Sequence, residues 1–145
     1  MYKKIHKDKF IVIGKIGRGP KDNSTNWIIK LWDEAGSNFI EIEDIINKDG
    51  KGGAFWWGIM DSAGETINYM VGCETALDVQ PPDGWDKWVI PAQSYVTAEC
   101  TPLDVARVYN EIINDPDIKN IGLGYEFYSK PDDVNFVEVY VPIAN

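Results

Sequence analysis

Histidine is almost missing from this 145-residue chain, where His6 is the only one. A His-dependent catalytic triad or a His-rich metal site has no material to be built from. That one histidine lies in a basic N-terminal stretch, residues 1–9, which is expected to be mobile. Cysteine is scarce as well. Cys73 and Cys100 lack CxxC spacing, so they read as buried free thiols in a reducing compartment. No apolar run reaches the length of a membrane span. Residues 10–16 are too short for a signal peptide's apolar region, and no small-residue cleavage site follows Gly17-Arg18-Gly19-Pro20. The expectation is a cytoplasmic protein. Phosphate-cradling loops are also lacking. Neither Gly17-Arg18-Gly19-Pro20 nor Gly50-Lys51-Gly52-Gly53 combines the needed glycine spacing with a preceding strand and a following helix. No cofactor or metal is expected. Basic residues are in short supply, 14 Lys and Arg against 23 Asp and Glu, for a net charge of -9. Direct nucleic-acid binding needs a basic footprint, and the balance counts against it.

What is present is a globular composition, 44% hydrophobic and 26% charged. The length suits one domain, 1–145, or a duplicated one, and it can bury roughly 70% of its unfolded surface without a staple. Acid is unevenly spread. Residues 1–51 hold 10 basic and 8 acidic side chains, and residues 52–145 hold 4 and 15. Solubility explains such a surplus, and so does attraction of cationic ligands. Six Trp, seven Tyr and five Phe are many for this length, and serve either a core or a pocket.

Periodicity predicts the elements. Residues 10–16 are β-branched and end in glycine, which predicts a strand. Ser24 or Thr25 can cap a helix in which Trp27, Ile28, Leu31, Trp32 and Ala35 share a face, with Gly36 placed to end it. Residues 39–46 fit both helix and strand periods, and a second short helical piece is preferred. Residues 48–53 are a flexible loop. Residues 54–60 and 67–74 predict a hairpin about the turn 61–65. Residues 88–99 predict one strand region interrupted at Pro91. Thr101-Pro102-Leu103-Asp104 predicts a helix start with a capping Thr. Leu103, Ala106, Val108, Tyr109, Ile112 and Ile113 form its apolar face, and Asp115-Pro116 stops it. Residues 121–128 and 134–143 predict two more strands around the turn 130–133, with Pro142 suiting an edge or a strand end. The order is β-α-β-β twice, about residues 10–74 and 88–143. The predicted fold is α+β: duplicated βαββ units, antiparallel sheets with helices on one face, and a ligand cleft between the repeats.

The segment Tyr125-Glu126-Phe127-Tyr128 carries the chemistry. Alternation puts Tyr125 and Phe127 on one face and Glu126 and Tyr128 on the other. In the last strand Glu138 and Tyr140 share a face, so all four of Glu126, Tyr128, Glu138 and Tyr140 are expected to point the same way. A carboxylate among aromatic rings is a receptor for an apolar cation. The same pattern is also satisfied by positions that simply face solvent.

Several stretches in order resemble one family. They are Tyr69-Met70-Val71-Gly72-Cys73-Glu74, Pro82-Asp83-Gly84-Trp85, Val89-Ile90-Pro91-Ala92-Gln93-Ser94-Tyr95, Tyr125-Glu126-Phe127-Tyr128, and Val137-Glu138-Val139-Tyr140-Val141-Pro142-Ile143. Together they are similar to the GyrI-like small-molecule-binding family. That family includes the effector-binding domains of AraC-type and MerR-type multidrug regulators, and stand-alone, sometimes integron-borne, bacterial proteins. The resemblance implies an aromatic pocket between the repeats, with a glutamate at its floor that meets lipophilic cations. Glu126 holds that position. The resemblance makes Tyr140 its partner, Trp57 and Tyr69 the opposite walls, and Trp85, Trp88 and Tyr95 the rim. Trp56 competes with Trp57 for the inward face. The regulators carry a helix-turn-helix that this sequence lacks, so a separate regulator chain is an expected partner.

Three functions follow from the resemblance. The first is binding of a lipophilic cationic small molecule by a stand-alone domain, without catalysis. The second is hydrolysis of strained electrophilic natural products by Glu126 and Tyr140. The third is an acidic protein that interacts with gyrase.

Overall fold

The computed structural model describes residues 2–20, 24–47, 55–63, 65–76, 78–122, 124–129, 133 and 135–144. The expected loop at 48–53 and most of the turn at 130–133 lie outside these residues, as do the side chains of Ser24 and Thr25. Among the described residues there are eight strands: β1 (Lys3–Lys7), β2 (Phe10–Pro20), β3 (Trp56–Ala63), β4 (Thr66–Thr75), β5 (Asp86–Ile90), β6 (Gln93–Cys100), β7 (Tyr125–Tyr128) and β8 (Val137–Ile143). Helix α1 spans Ser24–Ser37, α2 Glu43–Asn47 and α3 Val105–Ile113. Short 3-10 turns at Phe39–Glu41 and Pro102–Asp104 precede α2 and α3.

All eight strands join one antiparallel sheet in the order β1-β6-β8-β7-β3-β4-β2-β5. The order is palindromic: exchanging β1–β4 for β5–β8 reproduces it in reverse. The class is therefore α+β, with both long helices on one face. Helix α1 covers β2 and β4 through Leu31 and Ala35, against Ile13, Tyr69, Val71 and Cys73. Helix α3 covers β6 and β8 through Val108 and Ile112, against Val96, Ala98, Val139 and Val141.

Four expectations are corrected. The basic N-terminus is not loose. Lys3–Lys7 pairs with β6 from Lys3↔Thr97 to Lys7↔Gln93, and Ile5 packs into a core. Residues 88–99 are not one strand region. Pro91 has no N–H to continue a ladder, and β5 runs beside β2 while β6 lies between β1 and β8. Thr101 does not cap α3; its hydroxyl bonds the Asp104 carboxylate at 3.0 Å, and Leu103 is 97% exposed in the 3-10 turn. Glycine at 36 does not end α1, which runs on to Ser37.

Chain connectivity curls the sheet. Only residues 8 and 9 link β1, first in the sheet, to β2, seventh; residues 91 and 92 link β5, last, to β6, second. Such links span at most about 11 Å. The two edges must therefore approach each other, wrapping the helix-free face around a core of its own. That core holds Phe10, Trp57, Met70, Ile90, Tyr95 and Tyr140.

Candidate functional site

Register partners share a face of a sheet. One row runs Lys15, Val71, Gly58, Glu126, Val139, Ala98. Val71 lies under α1, and Val139 and Ala98 lie under α3. Glu126 thus stands mid-sheet on the helix-bearing face, in the strip between the two helix-covered patches.

Aromatic side chains collect around it. Tyr128, two residues on, donates its hydroxyl to Glu126 Oε2 at 2.7 Å. Tyr69, fully buried on β4, also hydrogen-bonds Glu126, and its oxygen accepts from Trp32 Nε1 at 3.3 Å. Trp32 meets Tyr128 edge-on at 5.0 Å between centroids and Trp56 at 6.0 Å. Phe39 closes on Trp56 at 5.6 Å. The backbone makes room for this at Gly58, paired with Glu126. A Cβ there would strike the Tyr69 hydroxyl and come within 2.8 Å of Tyr69 Cζ and 3.2 Å of Trp32 Cζ2. Glycine lets the phenol lie across β3 to reach the carboxylate.

Burial pushes the Glu126 carboxyl up from its ordinary range, and the hydrogen bonds from Tyr128 and Tyr69 pull it partly back. Burial first, then the charge of Glu126, pushes the Tyr69 and Tyr128 hydroxyls up, which keeps both protonated as donors. Among the described residues no Lys, Arg or His pairs with Glu126. Glu74 is the instructive contrast. It too is buried, but it has Lys7 Nζ at 3.6 Å and the Trp57 indole N–H at 2.9 Å. Among the described residues the fold provides a cation for Glu74 and none for Glu126.

The residues expected at the site divide between two faces. Glu126 and Tyr69 come together. Tyr140 does not join them: Glu126 pairs with Val139, so the valines of β8 flank the carboxylate while Glu138 and Tyr140 point to the other face. Trp57 also lies on that face. It is fully buried, stacked on Phe127 at 4.2 Å and edge-on to Tyr140 at 5.1 Å. The contest between Trp56 and Trp57 is decided by register, since Trp56 pairs with Tyr128. Tyr95 is buried against Tyr140 at 5.4 Å in the same core, and burial pushes the Tyr140 hydroxyl up to about 12. Trp88 packs on that core from β5. Trp85 is on the helix side, among the α1 cluster; its indole N–H donates to Glu41 Oε1 at 2.8 Å and Lys15 Nζ lies 4.5 Å over its ring. Trp32, Phe39 and Gly58 were not foreseen at the site, and Trp56 was named only as the competitor of Trp57. The one available signal was a glycine inside a strand two residues after Trp56, which marks a close approach.

Among the described residues no helix is long and apolar enough to cross a membrane, and no three His, Cys, Asp or Glu stand together to hold a metal. Residues 1–144 match the family described as a GyrI-like small molecule binding domain. No curated protein matches by sequence. Solved structures match in fold. SAV2435 bound to tetraphenylphosphonium aligns with a TM-score of 0.76 at 14% identity, covering 100% of this chain and 94% of that one. The Vibrio cholerae integron cassette protein VCH_CASS2 aligns at 0.67 and 19%, covering 99% and 95%. EcmrR, in its complex with DNA, aligns at 0.68 and 15%, covering 100% of this chain and 57% of that one.

Proposed function

Because the chain belongs to the family of GyrI-like small molecule binding domains, we propose that its ligands are lipophilic cations, held with Glu126 as counter-charge between Trp32, Trp56, Tyr69 and Tyr128. One observation carries this reading. Glu126 is a partly buried carboxylate among aromatic rings with no cation of its own among the described residues. An unpaired charge taken out of water is costly. A ligand that brings the missing positive charge offsets that cost, and the rings add cation–π attraction of about 2 kcal/mol when desolvated. The structural neighbour SAV2435 is bound to a ligand of this kind, tetraphenylphosphonium.

The pairing of Glu126 with Tyr140 for hydrolysis loses its geometry, since the sheet separates the two side chains. Binding without turnover is the reading that the site supports.

The test compares tetraphenylphosphonium with tetraphenylborate, which has nearly the same shape and the opposite charge. Opposite unit charges about 5 Å apart attract by roughly 3 kcal/mol at an effective dielectric near 20. After desolvation, Glu126→Gln is expected to weaken phosphonium binding about 10- to 100-fold by calorimetry and leave borate binding no weaker. Equal phosphonium affinity in parent and variant would refute the proposal.

A further inference from the structure

On the sheet face opposite Glu126, two hollows meet. One, about 520 Å³, lies against Ile121, Gly122 and Pro142 at the start of β7 and the end of β8. The other, about 340 Å³, lies between β5, with Trp88, Val89 and Ile90, and Ile59 on β3. Asp61 and Tyr125 belong to the walls of both. Strand β5 is three places from β3 in the sheet order, so it reaches β3 only because the sheet curls. The two hollows therefore form one continuous groove at the mouth of the curled sheet. It is separated from the Glu126 site by the thickness of the sheet, since Tyr125 and Glu126 are neighbours in one strand.

The walls mix apolar and polar groups, with Ile59, Trp88 and Ile90 at one end and Asn120, Ile121 and Pro142 at the other. Ile121 is 61% exposed, a large apolar area left to solvent. Between the two ends stand the Asp61 carboxylate and the Tyr125 hydroxyl, which accepts from Gln93 Nε2 at 3.4 Å. Gln93 also donates to Tyr95 at 2.7 Å and so ties this ridge to the core. Among the described residues, Asp61 and Lys87 are the charged residues at its walls, and they differ. Lys87 shares a face with Ile13 and is engaged by Asp78 at 2.8 Å. Asp61 has no hydrogen bond or ion pair among the described residues, and its charge helps hold the Tyr125 hydroxyl up behind burial. The uncompensated charge of the groove is thus negative, in the acidic two-thirds of the chain.

We propose that this groove is a second small-molecule site, for an elongated amphiphile with one cationic head and a flexible apolar tail. The head sits at Asp61 beside the Tyr125 ring, and the tail lies along Trp88 and Ile90 or along Ile121 and Pro142. The affinity is modest, because Asp61 is exposed and exposed charge pairing is weak and screened.

The probe is decyltrimethylammonium below its micelle concentration, titrated into Glu126→Gln so that the helix-side site is disabled. One equivalent is expected to bind, with chemical-shift changes at Tyr125, Trp88 and Ile121. In the Asp61→Asn, Glu126→Gln double variant the affinity should fall about 3- to 10-fold and lose most of its salt dependence. Asp61 is exposed, so this change leaves folding intact. Trp88→Ala or Ile121→Glu should weaken binding through the tail, according to which end it occupies, and decyl sulfate should bind more weakly than the ammonium. No binding at millimolar probe, shifts confined to the helix side, or unchanged affinity after Asp61→Asn would each overturn the proposal. Failure of tetraphenylphosphonium to bind the parent protein would refute only the Glu126 reading.

Discussion

Gly58→Ala is the sharpest test of how the Glu126 cluster is built. The added methyl would occupy the place of the Tyr69 hydroxyl and lie 3.2 Å from Trp32. Tyr69 is fully buried, so its ring has no free space to swing into. Overpacking of this kind costs about 1–3 kcal/mol. Displacing the phenol also breaks its bond to Glu126 and the 3.3 Å bond from Trp32. A hydrogen bond to a charged group contributes about 1.5–3 kcal/mol. The sum, allowing for relaxation, is about 3 kcal/mol. For a chain of this length that lowers Tm by roughly 6–12 °C. Thermal unfolding followed by circular dichroism reads it. The second arm is Tyr69→Phe, which removes the colliding oxygen at the cost of the same hydrogen bonds. The double variant should lose at least about 1 kcal/mol less than the sum of the singles, because the methyl and the hydroxyl compete for one place. Strict additivity, or a Gly58→Ala protein within about 0.5 kcal/mol of the parent, would show that Tyr69 does not lie across β3 as described.

Three further outcomes are expected. The Glu126 carboxyl is raised in the folded state, chiefly by burial, so its contribution favours folding below the unfolded carboxyl pKa and is lost as pH rises through the folded one. Urea titrations should therefore show Glu126→Gln gaining stability over the parent as pH rises from 4 to 7, while phosphonium binding to the parent strengthens over the same range. Trp57→Ala should cost about 3–5 kcal/mol in chemical denaturation, because it empties a fully buried site and strips Glu74 of the indole donor; phosphonium affinity of the folded fraction should stay within about threefold. Lys7→Met should cost about 1–3 kcal/mol by removing the ammonium 3.6 Å from the buried Glu74 carboxylate, and Glu74→Gln in the same chain should recover part of the loss.

Much of the fold was legible because local rules and tertiary structure agree there. Leu31 and Ala35 at helical spacing do face the core, and the expected hairpin forms with Ile59↔Met70 in register, although its strands run on through Ala63 and Thr66 into the stretch expected to be turn. The break at Pro91 was visible, but its consequence was not. A missing N–H says that a ladder stops, not that the chain then crosses to the far side of the sheet. Residues 3–7 were unreadable for a related reason. Five residues rich in lysine have no strand signal of their own, and β1 exists because β6 offers an unpaired edge.

From the sequence alone, alternation determined that Glu126 and Tyr128 share a face and that Tyr125 and Phe127 do not. The charge balance and the lone histidine narrowed the chemistry to a carboxylate among aromatics. Alternation has period two, however, and it holds no information on how one strand's phase meets the next. Only the pairing Glu126↔Val139 decided that Tyr140 belongs to the opposite face, and only Trp56↔Tyr128 decided between adjacent tryptophans. A shift of one residue in either register would exchange the two faces. The charge environment of Glu126 is likewise a tertiary fact. Among the described residues none of the basic side chains pairs with it, and the curl of the sheet delivers Lys7 to Glu74.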